Sequence, residues 1–167
     1  LNFADWTHLQ AMADKEGQRL LSVPTLGEIL RALKIASDFE QLPDPKRTAL
    51  LTRLLREPVP ELAHHPGVTT ATTETWSLLQ LIGRARSVYG NELLGPFIIS
   101  MTRSAADVLT LLLLSRWAGC DSGMQIVPLF ETINDLKAAP RILETLFTSE
   151  VYRPHLKSLG GEQMVMI

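Results

Sequence analysis

The chain has 167 residues, 46% of them hydrophobic and 20% charged, which suffices for one domain of ordinary size and excludes a disordered polypeptide. Sixteen Lys and Arg stand against eighteen Asp and Glu, and a net charge of -2 offers no clustered positive charge for nucleic acid or acidic lipid. Cys120 is the single cysteine, so no internal disulfide can form, which suits a reducing, cytoplasmic setting.

In chain order, the residues around Trp6, Leu9 and Ala13 have a helical pattern. "TLGE" (25–28) reads as a capping box that opens a helix carrying Leu26, Ile29, Leu30 and Leu33 inward to about Ser37. "DPKR" (44–47) sets Asp44 as N-cap and Pro45 at the first helical position of a helix buried along Leu50, Leu51, Leu54 and Leu55, which Pro58 and Pro60 end. "AHHPG" (63–67) is a loop. A longer helix runs from about Thr73 to Tyr89, with Trp76, Leu79, Ile82 (or Leu81) and Ala85 inward and Gly90 closing it.

After Pro96 the texture changes. "FIISM" (97–101) is β-rich, and "SAAD" (104–107) opens a helix whose Val108–Leu114 run is apolar all round and so buried on most sides. That run is far short of the roughly 20 residues needed to cross a bilayer. "GCDSG" (119–123) is a turn and "IVPLFE" (126–131) a second strand. Thr132 and Asp135 form another capping box. Pro140 is expected to end that helix and start a second one, 140–148. Gly160-Gly161 breaks the chain, and "MVMI" (164–167) is a third strand.

Strand, helix, strand, helix, strand at this spacing is βαβ logic with a parallel sheet. The fold class expected is therefore α/β and helix-rich: about three parallel strands of a partial (β/α)8 barrel with additional helices. Residues 1–95 form a helical segment leading in, and 96–167 the strand-bearing part. The strands are wholly apolar, so both faces are expected to be covered. The chain starts at Leu1 without a Met and stops at Ile167 inside an apolar run, so a segment of a longer chain is expected.

In such folds the chemistry lies at the C-terminal ends of the strands. Glu131 is the one ionisable group that pattern alone places there. Three readings stay open: a ligand of a divalent cation, a general base raised by burial, or a structural acid near a helix N-terminus. His64 and His65 lack a third ligand at a telling spacing and read as surface loop. His8 and His155 read as partly buried or solvated, Arg84 and Arg86 as cations suited to the end of their helix, and Cys120 as no nucleophile.

"FIISM" followed by "DVL" (107–109), then "VPLFETINDLKAAPRILETLF" and "YRPHLKSLGGEQMVMI", resembles phosphoenolpyruvate carboxylase over about residues 96–167, and more loosely from Leu33 to Gly95. The resemblance implies a lyase with a (β/α)8 barrel that joins phosphoenolpyruvate to bicarbonate, giving oxaloacetate and phosphate with Mg²⁺ or Mn²⁺. It implies a homo-oligomer, a tetramer, in the cytoplasm, while charge and hydropathy speak against nucleic-acid and membrane partners. It also implies that Glu131 is a metal carboxylate and that Leu129 and Met166 belong to the apolar substrate pocket. The family's second metal acid (in "GYSD"), its catalytic histidine and its glycine loop would lie outside these residues, so no catalytic residue is expected within the chain, which alone should be inactive. Residues 13–18, "ADKEGQ", lack the arginine of the family's "LDIRQ" strand. A catalytically dead scaffold or interaction module is the alternative, and another metal-dependent barrel enzyme acting on enolates a third.

Overall fold

A computed structural model describes residues 22–61, 68–91 and 94–167. The helical pattern around Trp6, the histidines His8, His64 and His65, and the "ADKEGQ" stretch lie outside the described residues. Six helices and two short parallel strands are present among those described: α1 (Ser22–Ala32), α2 (Asp44–Arg56), α3 (Thr70–Tyr89), β1 (Phe97–Ile99), α4 (Ala105–Trp117), β2 (Ile126–Pro128), α5 (Ile133–Thr148) and α6 (Tyr152–Ser158), with a single 3₁₀ turn at Phe39–Gln41. This is a helix-rich α/β arrangement compatible with part of a barrel.

The core is built around α4. Eleven of its thirteen residues are buried, as its all-apolar sequence predicts, and only Asp107 and Arg116 reach outward. Leu26, Ile29 and Leu30 of α1, Leu51, Leu54 and Leu55 of α2, and Trp76 and Leu79 of α3 pack into the same apolar cluster. The α3 helix stops where Gly90 takes φ 92°, and its N–H donates to Arg86 O at 2.9 Å. That left-handed conformation favours glycine.

Four expectations are corrected. Helix α1 begins at Ser22, not at a Thr25 cap; Thr25 is buried inside it, and the Glu28 carboxylate instead accepts from the N–H (3.1 Å) and hydroxyl of Thr69, at the start of α3. Pro43, not Asp44, is the N-cap of α2, and Asp44 lies within its first turn, paired with Arg47. Pro140 does not divide the helix: α5 is continuous from 133 to 148. Proline removes one N–H donor there, but Pro140 faces solvent and the buried Ala139, Ile142 and Leu146 hold both halves against the core. The third strand is a single parallel bridge, Leu129 with Met166, and not a full ladder.

Helix α6, which carries His155, secures that bridge. The Tyr152 hydroxyl donates to Gln163 Oε1 at 2.6 Å, and Gln163 Nε2 donates to Ile126 O at 2.8 Å. Tyr152→Phe is expected to cost about 1 kcal/mol and to speed amide exchange at Phe130 and Met166, read by hydrogen exchange. Unchanged exchange would show that Gln163 holds the strand without help.

His155 lies beside Tyr152, with ring centroids 5.8 Å apart. Burial lowers its pKa below the ordinary 6.5, against the opposing pull of Asp121 and the Met124 backbone. Its neutral form is therefore favoured in the fold. The unfolded chain takes up the proton first, so stability is full above pH 6.5 and falls as pH drops through the folded pKa. His155→Gln is expected to flatten this part of the pH–stability curve, measured by urea unfolding between pH 7.5 and about 5.

Candidate functional site at the strand ends

Strand β1 pairs with β2 in parallel register, Phe97 with Ile126, Ile98 with Val127 and Ile99 with Pro128. Successive residues of extended chain point to opposite faces. Ile99, Ile126 and Phe130 enter the helical core. Ile98, Val127 and Leu129 occupy the other face, and Met166 joins them beside Leu129. The expectation that both faces are covered holds for β2, all three of whose residues are buried, Val127 included, and fails at its flanks, where Ile98 is 43% and Met166 41% exposed.

Pro128 lacks an N–H, so its carbonyl does the bonding, accepting from Met166 N at 3.0 Å. Leu129 N donates to Ile99 O at 2.8 Å, and Phe130 N to Met166 O at 3.0 Å. A regular parallel ladder would then bring Met101 N to Leu129 O. Instead Thr102 N makes that bond, at 3.1 Å, and Met101 adopts φ 51°. One extra residue is accommodated, as in the bulges that re-aim chains beside functional sites. The Thr102 hydroxyl, fully buried, donates to Ile99 O at 3.0 Å and pins the turn. Positive φ at a methionine has no sequence signature, so the extra residue at Met101 is not readable from a sequence that places Met101 at the strand end and Thr102 in the loop beyond.

Beyond the turn, the Asp107 carboxylate accepts from Arg103 N (3.0 Å) and Ser104 N (2.9 Å), fixing the start of α4. On β2 the chain passes Leu129, half-buried, and Phe130, buried, to reach Glu131, which is exposed. Thr132 caps α5 next: its N–H and hydroxyl donate to Asp135 Oδ2, and Asp135 N donates back to the Thr132 hydroxyl at 3.1 Å. The start of α5 is thereby satisfied without Glu131, which weakens the structural-acid reading. The buried-base reading finds no burial. Leu129, Met166 and Glu131 thus share one end of the sheet, with the first two paired directly.

The other candidates lie away from this end. Arg86 is buried and donates to Cys120 O (3.3 Å) and Ser122 O (3.4 Å), bracing the 119–123 turn, while Arg84 is exposed. Burial pushes the Cys120 thiol up to about 12, so it stays protonated at neutral pH. Among the described residues no three His, Cys, Asp or Glu side chains come together as a metal cluster. No helix among them is long and apolar enough to cross a membrane.

The family model for phosphoenolpyruvate carboxylase matches residues 21–167. The chain belongs to the phosphoenolpyruvate carboxylase family. Among similar proteins, the phosphoenolpyruvate carboxylase of Rhodopseudomonas palustris (strain BisB5) is 36% identical over 148 residues, 86% of this chain and 16% of the relative. That of Gloeobacter violaceus is 33% identical over 150 residues, with the same coverage. That of Prochlorococcus marinus (strain MIT 9515) is 32% identical over 139 residues, 80% of this chain and 14% of the relative. The chain thus spans about 14–16% of the length of these curated carboxylases. The match begins at residue 21, so the family assignment does not draw on "ADKEGQ".

Proposed function

We propose that these residues supply part of the site in which a carboxylase joins phosphoenolpyruvate to bicarbonate and releases oxaloacetate and phosphate. The observation that carries this reading is the shared sheet end of Leu129, Met166 and Glu131, in a chain of this family.

Glu131 would hold Mg²⁺ or Mn²⁺. A lone exposed carboxylate fits such a cation, which keeps several waters and takes only one or two protein carboxylates, so the fit is to half a site. When bound, the metal supplies positive charge where an enolate oxygen develops. The chain's own residues do the rest. Leu129 and Met166 form a dry wall against the substrate's methylene carbon, keeping water from the enolate and from the carbon dioxide it attacks. Thr102 and Met101 fix the Leu129 backbone, hence the path on which Glu131 is presented. The exposed Ile98 and Met166, beside half-buried Leu129, support a barrel interior that further strands would enclose. The division at residue 95 between a helical lead-in and the strand-bearing part belongs to the same proposal, as does a cytoplasmic location.

The test compares two proteins. A longer carboxylase carrying these residues is expected to form oxaloacetate only with divalent metal present, and the 167-residue chain to form none. Turnover by the 167-residue chain would overturn the inactivity. A longer protein that folds but never turns over would favour the scaffold reading.

A further inference from the structure

A shallow depression of about 380 Å³, half open to solvent, lies where the turn leading into β2 meets α4 and α6. It adjoins Asp121 and Ser122, on the N-terminal side of β2, whereas Glu131 follows the C-terminal end. Its size is that of a small-molecule site. The walls combine an apolar part, Leu55, Leu112 and Val151, with Arg116, Asp121 and His155.

Arg116 donates to Leu55 O at 2.7 Å, which anchors its guanidinium at the rim. Among the described residues neither Arg116 nor Asp121 takes part in any ion pair within 4 Å, although Asp121 favours the charged form of His155. The Asp121 carboxylate accepts no hydrogen bond there either. His155 Nε2 is buried without a partner among the described residues. A ligand atom that met this buried nitrogen would relieve an unmet polar group. The net charge of the lining is near zero, so a simple anion or cation gains from one wall and loses at the other. A molecule with both charges gains at each.

We propose that this cavity binds a small zwitterion of the apolar α-amino-acid class, its carboxylate on Arg116 and its ammonium on Asp121. The side chain lies on Leu55, Leu112 and Val151, and His155 Nε2 faces the polar end. The site is separate from the strand-end chemistry and does not depend on it.

The probe is L-leucine, with two analogues that each lack one charge: 4-methylpentanoate has no ammonium and isoamylamine no carboxylate. Binding is read from the ring signal of His155 in the 167-residue chain by NMR, assigned with His155→Gln. L-leucine is expected to shift that signal saturably, with a Kd of about 1 mM or tighter, and each analogue to bind at least about tenfold more weakly. Arg116→Gln and Asp121→Asn are each expected to abolish the saturable shift. Absence of a saturable shift with L-leucine, an analogue binding as well as L-leucine, or undiminished binding in a folded variant would each overturn the proposal. Should a variant fail to fold, the two analogues decide alone.

Discussion

Glu131→Gln is expected to lower kcat about 10²- to 10³-fold in a carboxylase carrying this segment, the scale seen when one preorganised electrostatic group is removed from a reacting centre. The amide keeps the shape of the carboxylate and loses its charge, so metal affinity falls as well, and a higher Mn²⁺ concentration should recover part of the rate. Folding should be untouched, because Glu131 is exposed and α5 is capped by Thr132 and Asp135. Oxaloacetate formation across a Mn²⁺ titration, beside a thermal unfolding curve, measures all three. Unchanged kcat and unchanged metal demand would remove Glu131 from the site. A large loss of stability would mean that the carboxylate is structural after all.

Leu113→Ala should be the most damaging single change to the fold, at about 2–5 kcal/mol. Leu113 is fully buried in α4, the helix against which α1, α2, α5 and β2 all pack. Truncation leaves a cavity that rigid neighbours on several sides cannot fill. A domain of this size is stable by only about 5–15 kcal/mol, so the loss is a large share of the total. Val88→Ala, on the exposed end of α3, is expected to stay within about 0.5 kcal/mol. Urea midpoints at constant m-value separate the two, and equal effects would show that α4 is not the centre of the core.

What could be read from the sequence was whatever is decided locally or by gross polarity. The boxes at Ser104–Asp107 and Thr132–Asp135 mark real helix starts because their partners lie three residues apart. The apolar runs at Phe97 and Ile126 mark real strands because nothing polar interrupts them. Two of the failures come from tertiary packing that local spacing does not reveal. Glu28 has the spacing of a capping box with Thr25, but Thr69, 41 residues away, takes its carboxylate. Pro140 has the signature of a helix stop, yet burial on both sides of it outweighs one missing hydrogen bond. Glu131 stood out at the sheet end by pattern alone. The pairing of Leu129 with Met166 and the extra residue at Met101 needed coordinates, since register across strands is a tertiary property.

The all-round burial of α4 has a consequence for how its orientation is specified. An ordinary surface helix is steered by its two-faced character, because turning it about its axis would drown polar groups or bare apolar ones. Val108–Leu114 has little such preference: apart from Val108 and the buried Thr110, each 100° step of rotation exchanges one leucine for another. The angular setting must come from the ends: Asp107 gripping the amides of Arg103 and Ser104 at one, Arg116 reaching Leu55 O at the other. The helix behaves as an axle held by two pegs. Swaps among its leucines would leave it in place, and loosening a peg would let it turn.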